Sequence, residues 1–567
     1  MPTPPIANHF DAIVVGSGIS GGWAAKELTE KGLRVLMLDR GRMVEHVKDY
    51  HTAMTPPWEL PHRDSMPLDL LEKYPVQNRT GFAVTEATHH FFINDLEHPY
   101  VEEKPFDWIR GNQVGGKSLT WGRYSFRFSD LDFAANAREG IAVDWPIRYK
   151  DVAPWYDYVE RFAGIAGNRD GIPHLPDGVF QPAMPDSCLD AHIRQSINGQ
   201  FKDRKVVSAR LAHLTAPTAE QTALGRAKCQ YRNLCMRGCP YGAYFSTQSA
   251  TLPAARKTNR LTVRPHSLVN SIIYDEKSRK ATGVRVIDAE TGTWHEFFAK
   301  IIFLNASTLG STFVLLNSTS ARFPNGMDDS GQLGHNLMDH HFHVGASGQY
   351  EGLQDKTYFG RHPGGLYIPR FRNVGTDKQA FKRGYGFEVY SGRSNWDHIF
   401  EEDGFGVDLK EKAAQFGNWN VTLDAFCETL PYHDNRVYLT DAVKDKWGQP
   451  VLKMDASFRD NEQLMRKDAK EQAVLMLEKA GFTDIEPMDT PTNPGLSIHE
   501  MGTARMGRDP KTSVFNGQCQ HHAVKNVFCT DGAVMTSSPC QNPSLTYMAL
   551  TARAAEYAVK ELKRGGI

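Results

Sequence analysis

Three clusters in this 567-residue chain combine residue type and spacing in ways that could do chemistry. Cys229-x5-Cys235-x3-Cys239, followed by Pro240, places three soft thiolate donors within eleven residues, which suits an iron–sulfur cluster. Four cysteines are the usual complement, so a zinc ion completed by a nearby histidine, or three thiols that merely pack, stay open. Met338-Asp-His-His-Phe-His343 crowds three histidines and an aspartate, and could in principle hold a metal. Gly16-Ser-Gly18-Ile-Ser-Gly21 could grip a pyrophosphate. Gly16 permits a tight bend, Gly18 lets backbone N–H groups approach a phosphate with no Cβ between, and Gly21 lets a helix pack closely on a strand.

The glycines need a strand before them and a helix after. Asp11-Ala-Ile-Val-Val15 predicts the strand, Trp23, Ala24 and Leu28 the helix, and Leu33-Arg-Val-Leu-Met-Leu38 a second strand. Asp39 ends that strand 18 residues after Gly21, near where βαβ folds place an acid for a ribose hydroxyl. From this segment alone the nucleotide is NAD or FAD. Residues 261–265, 271–274, 283–287 and 300–304 predict short strands forming a meander inserted in the nucleotide domain. Alternating stretches such as 386–390 and 419–423 predict an antiparallel sheet in a substrate domain, and 460–481 and 546–563 have helical spacing.

Composition narrows the field of functions. An apolar content of 40% and a net charge of −1 suit a soluble enzyme and give no electrostatic reason to expect nucleic acid or anionic lipid. No apolar run is long enough to span a bilayer. Residues 1–10 have neither the charged start nor the apolar stretch of a signal, and are expected to form a disordered lead-in. Cys188, Cys427, Cys519, Cys529 and Cys540 are scattered and are expected to be free, packing thiols.

Beyond the glycine turn the chain resembles the glucose-methanol-choline (GMC) family of FAD oxidoreductases nearly end to end. The matching pieces, in order, are Gly16-x-Gly18-x-x-Gly21, Gly111-Asn-Gln-Val-Gly-Gly-Lys-Ser-Leu-Thr-Trp-Gly122, Asp144-Trp-Pro-Ile147 and Leu304-Asn-Ala-Ser-Thr-Leu-Gly310. His499-Glu-Met-Gly-Thr-Ala-Arg-Met-Gly507, Thr530-Asp-Gly532 and Asn542-Pro-Ser-Leu-Thr546 complete the set. The resemblance implies a Rossmann-like α/β FAD-binding domain interleaved with a substrate domain built on an antiparallel sheet that roofs the flavin. It implies His499 as the base for an alcohol proton, paired with Asn542 on the same oxygen. It also implies FAD contacts from Gly16, Gly18, Gly21, Asp39, Arg40, Gly115, Gly116, Ser118, Thr120, Val269, Asp531, Gly532, Asn542, Leu545 and Thr546. Several sugar-oxidising members attach FAD to a histidine in the segment near residue 120. Thr120 stands there in this chain and cannot make that bond, so non-covalent FAD is expected. Cys540 is not expected to act as a nucleophile, because flavin alcohol oxidation needs none. Asn336-Leu-Met-Asp339 resembles a common segment of the family, which weighs against a metal at 338–343.

The cysteine spacing resembles that of bacterial membrane-linked sugar dehydrogenases, whose catalytic subunit carries a 3Fe-4S cluster beside FAD. On that resemblance Cys229, Cys235 and Cys239 are expected to ligate such a cluster. Electrons would then leave for a cytochrome or other acceptor, and a small signal-bearing accessory subunit would carry the folded chain to the periplasm or membrane; a cytoplasmic enzyme is the alternative. Tyr358, Tyr367, Tyr385, Tyr390, Trp396 and Trp419 could offer aromatic planes to a pyranose, or could fill a sheet core. Together with a resemblance to glucoside 3-dehydrogenase catalytic subunits, the expected reaction is oxidation of a sugar or glycoside at C3. The rivals are an oxygen-using pyranose or C-glycoside oxidase, a glucose 1- or gluconate 2-dehydrogenase, and a non-catalytic electron-transfer subunit. The expected FAD-binding domain is 11–340 with 490–567, including a cysteine segment at 226–245. The expected substrate domain is 341–489 with parts of 50–105 and 145–225.

Overall fold

The computed structural model describes residues 8–82, 84–357, 360, 364–394 and 403–567. In strand β1 (His9–Val15) the apolar run from Ala12 to Val15 is buried on both faces, as the centre of a parallel sheet requires. It pairs with β2 (Val35–Leu38) on one side and β6 (Trp294–Leu304) on the other, with Val14 in register with both Met37 and Phe303. β3 (Leu261–Arg264) extends the sheet beyond β2, and β14 (Val527–Cys529) pairs with the end of β6. All five strands run parallel. Between β1 and β2 lies α1 (Ile19–Glu30), whose Trp23, Ala24 and Leu28 enter the same core as Met548, Ala549 and Ala552 of α4 (Ser544–Arg564).

The expected meander is only partly a meander. β4 (Ser267–Asp275) and β5 (Lys280–Asp288) are antiparallel and hang from the first half of β6, whereas β3 and the end of β6 belong to the parallel sheet. Strand runs of similar composition do not reveal their pairing partners, because register depends on which face is buried.

The second sheet is antiparallel throughout, in the order β13 (Thr483–Asp489), β7 (Val344–Tyr350), β10 (Trp419–Cys427), β9 (Tyr385–Arg393), β8 (Leu366–Ile368) and the two-residue strand Val207–Ser208. Side chains alternate between its faces. Tyr385, Phe387 and Val389 of β9 and Trp419, Val421, Leu423 and Ala425 of β10 point into a core covered by Met465, Ala469, Ala473 and Met476 of α3 (Asp460–Lys479) and by α2 (Cys188–Gln200). The intervening Glu388, Tyr390, Asp424 and Phe426 face the other way and roof a cavity. A hairpin of β11 (Arg436–Lys444) and β12 (Pro450–Asp455), joined by Val101–Glu102, ties the two halves together. Asn270 Nδ2 donates to Gln449 Oε1 at 2.9 Å, and Trp447 Nε1 donates to the Ala289 carbonyl at 3.3 Å. No helix among the described residues is long and apolar enough to cross a membrane.

Candidate active site

A cavity of about 630 Å³ runs from the turn after β1 to the inner face of the antiparallel sheet. At the turn, Gly16 has φ +93°, and a Cβ there would come within 2.3 Å of the Asn305 carbonyl oxygen. A Cβ on Gly21 would meet the Gly16 carbonyl oxygen at 2.0 Å. Both glycines are therefore required by packing. Gly18 differs, since nothing lies within 4 Å of a Cβ built on it, and its backbone opens directly onto the cavity at the start of α1. That is the cradle a pyrophosphate needs. Gly116, at φ +50°, faces Gly18 across the cavity, where a Cβ added to it would come within 3.3 Å of the Gly18 Cα.

Asp39 sits at the end of β2, where its buried carboxylate accepts from the Ser17 amide at 3.1 Å, the Ser17 hydroxyl and the Gly41 amide at 2.9 Å. Burial raises its pKa against these bonds. Ser17 Oγ also accepts from the Gly115 amide at 2.7 Å, which joins the two glycine segments. Beyond Asp39, Arg40 lies 2.5 Å from His98 Nδ1, its guanidinium lowered to about 10 by burial and by Arg110. Its Nε has no protein partner. A helix N-terminus, an acid that can accept, a cation that can donate, and Val269 of β4 line this end of the cavity, and such a set fits the dinucleotide FAD.

The far end holds His499 and Asn542. Asp339 organises the His499 loop by accepting from the backbone amides of Gly495 (2.7 Å), Ser497 (3.2 Å) and His499 (3.0 Å), and from the Ser497 hydroxyl. Burial and the nearby Glu500 push its carboxyl up to about 7. The next residue, His340, lies with its Nδ1 3.0 Å from His499 Nδ1 and its Nε2 2.8 Å from the Pro539 carbonyl. Burial, His340 and Lys117 hold the His499 imidazole well below its usual pKa. Asn542 Nδ2 donates to Glu388 Oε1 at 3.1 Å, and the Tyr390 hydroxyl donates to the other oxygen of that carboxyl. Burial drives Glu388 up to about 8. A neutral imidazole and an anchored amide at one cavity wall can take a proton and hold the oxygen that loses it.

Gly16, Gly18, Asp39, Arg40, Gly116, Ser118, Thr120, Val269, His499, Asp531, Gly532 and Asn542 all line this cavity. Gly21 and Gly115 support it from behind. Leu545 and Thr546 do not line it: Leu545 belongs to the main core, and the Thr546 hydroxyl pairs with Tyr156 at 2.7 Å. Ser544 and Tyr547 line the cavity from that helix instead, as i and i+3 positions share one face. Among the described aromatic residues, Tyr390 faces the cavity while Tyr367, Tyr385 and Trp419 are core; Tyr358 and Trp396 lie outside the described residues. Tyr385 and Trp419 are core because they alternate with the roof positions, whereas Tyr367 pairs with Glu388 on the roof face and is buried there, stacked on Phe126 with ring centroids 4.1 Å apart.

Cys229, Cys235 and Cys239 are free thiols outside the cavity, although Met236 between them lines it. Cys235 Sγ is 3.6 Å from His213 Nε2. Burial, reinforced by its two cysteine neighbours, raises Cys229 to about 11. Among the described residues no group of three or more His, Cys, Asp or Glu side chains is arranged to hold a metal, and this covers both the cysteine segment and 338–343. Asp339 and His340 of this segment instead form the bracket for His499, a role hidden in sequence because their partner lies some 160 positions away. Sequence reasoning also missed Glu388, a lone acid in an apolar strand, and the approach of Pro450, Val451 and Leu452 to the nucleotide end.

Models of a family described as GMC oxidoreductase match residues 10–342 and 431–551. The chain is 28% identical to 2-methyl-1,2-propanediol dehydrogenase of Mycolicibacterium austroafricanum, over 97% of this chain and 95% of that protein. It is 27% identical to the fructose dehydrogenase large subunit of Gluconobacter japonicus, over 98% of each. A formate oxidase structure from Aspergillus oryzae superposes with a TM-score of 0.61 at 14% identity, covering 99% of this chain and 100% of that one, which shows a shared fold.

Proposed function

Since the chain belongs to the GMC oxidoreductase family, and so is an FAD-dependent oxidoreductase acting on CH–OH donors, we propose that it is a dehydrogenase of a neutral sugar or glycoside, with C3 of a glucopyranoside as the preferred carbon. The observation that carries this reading is that the glycine turn at Gly16–Gly21 and the pair His499 and Asn542 serve one continuous cavity. FAD, held non-covalently by Gly18, Gly116, Asp39, Arg40 and Val269, supplies the hydride acceptor. His499 takes the hydroxyl proton, and Asn542, anchored by Glu388, hydrogen-bonds the same oxygen. Glu388 and Asp424 in the roof offer hydrogen bonds to hydroxyls. A diol dehydrogenase and a fructose dehydrogenase subunit among the relatives support a hydroxyl-rich neutral substrate.

The cysteine spacing supports a 3Fe-4S cluster as companion to the flavin, although among the described residues the thiols do not form a metal group. Iron and sulfide analysis with spin-resonance spectroscopy tests it. Transfer of electrons to a cytochrome or similar acceptor, and export with a small signal-bearing subunit, are proposed with it. Their support is the resemblance of the cysteine spacing and a relative named as a large subunit. Copurification from the native host tests both. For the reaction itself, the oxidised protein is mixed anaerobically with glucose, methyl glucosides, fructose and gluconate, and the products are identified. Flavin bleaching by a glucoside with a 3-keto product supports the reading, and no bleaching by any neutral sugar overturns it. Prompt peroxide release in air would make the enzyme an oxidase.

A further inference from the structure

We propose that His340 is a positioning residue that holds His499 in the tautomer protonated at Nδ1, leaving Nε2 bare as the basic nitrogen. The proposal rests on the reading of His499 as the base. It begins at Pro539, whose carbonyl can only accept a hydrogen bond. His340 Nε2 lies 2.8 Å from that oxygen and must therefore carry a hydrogen. A neutral imidazole has one N–H, so His340 Nδ1 is a lone pair. It lies 3.0 Å from His499 Nδ1, and a hydrogen bond between the two nitrogens needs His499 as its donor. His499 then carries its only hydrogen on Nδ1, and its lone pair is on Nε2, the nitrogen on the ring's far side from His340.

Both rings are held neutral by their surroundings, with His340 lowered to about 4 by burial. The charged and titratable groups around His499 are His340, Lys117 and Asp339, with Glu500 next in the chain and 3.5 Å from Lys117; Phe426 is its apolar neighbour. None of these except His340 bonds the ring nitrogens. The two rings stand at 78° with centroids 5.0 Å apart, which suits an in-plane nitrogen meeting an in-plane nitrogen rather than stacking.

The same short segments fix both members of the catalytic pair. Asp339 holds the His499 backbone and His340 its ring. Pro539 anchors His340, and Asn542 follows three residues later. When the alcohol O–H bond breaks, the proton goes to His499 Nε2, and the positive charge on the resulting imidazolium strengthens the Nδ1–H bond to His340.

The test uses FAD-loaded protein with ¹⁵N-labelled histidine, in wild type, His340→Leu and His340→Gln. Expected are an Nδ1–H signal and a bare Nε2 for His499 in wild type, and a mixture of tautomers in His340→Leu. Flavin reduction by substrate should slow about 10²-fold in His340→Leu at equal FAD content, with its acid limb displaced, because a randomised tautomer and an unsupported imidazolium both weaken the base. His340→Gln, whose amide oxygen can accept from Nδ1, should recover most of the rate. An Nε2-protonated His499 in wild type would overturn the proposal, as would an unchanged rate and pH profile in His340→Leu. If no sugar reduces the wild-type flavin, the proposed function falls, while the histidine spectra still decide the tautomer. If His340→Leu does not bind FAD, the wild-type and His340→Gln spectra decide it.

Discussion

Asn542 and His499 reach the same cavity, yet each depends on a neighbour that is neither in the cofactor turn nor close in sequence. Glu388 accepts from Asn542 at 3.1 Å, in a setting that keeps its own carboxyl protonated up to about pH 8. Replacing Glu388 by Leu is expected to slow flavin reduction about tenfold, the equivalent of about 1.4 kcal/mol, by freeing the amide it anchors. Glu388→Gln keeps an acceptor and should stay much closer to wild type; stopped-flow absorbance checks both. For His499 the sign of the pH dependence follows from a lowered pKa. Its basic form persists at pH values where an ordinary histidine would already be protonated. Flavin reduction should show no loss of rate from His499 protonation in the range where an ordinary histidine titrates, about pH 6.5, and that loss should come only further into acid. A fall centred at or above about pH 6.5 would show an imidazole that is not shielded by burial.

Among the elements, the strand–turn–helix from β1 to α1 separates two kinds of glycine. Gly16→Ala places a methyl against the Asn305 carbonyl and should destabilise the fold itself. Gly18→Ala meets no protein atom, so the melting temperature of the cofactor-free protein should hold while FAD affinity drops at least about tenfold. Calorimetry of the apoprotein and FAD titration distinguish the two. This turn was legible in the sequence because its signature is local, a strand, three glycines, a helix and Asp39, whereas the Asn305 carbonyl that excludes a side chain at Gly16 was not. The roof strands were legible as strands but not as a wall. Alternation along β9 shows that Glu388 and Phe387 lie on opposite faces, and only the packing of α3 decides which face is core. The same ignorance of long-range partners left 338–343 open to a metal reading and three buried aromatics open to a sugar reading.

At the scale of the whole molecule, the cavity lies between the parallel sheet and the antiparallel one, with the hairpin β11–β12 reaching its nucleotide end. FAD bound in this cavity would meet residues of both halves, and its binding should stabilise them together. Saturating FAD is expected to stabilise the fold by the linkage free energy of a tight ligand, about 4 kcal/mol at a thousandfold excess over Kd, and so to raise the melting temperature. Because Thr120 cannot form a histidyl link, acid should release all of the flavin into the supernatant. Fold and cofactor were legible from motifs spread along the chain, whereas the cysteine spacing could not report whether its loop brings three thiols together. The most direct test is anaerobic stopped-flow mixing of a methyl glucoside with wild type and His499→Ala, matched for bound FAD. The expected result is rapid bleaching of the wild-type flavin and a rate at least about 10²-fold lower in the variant. Equal rates in the two proteins would contradict the assignment of His499 as the base.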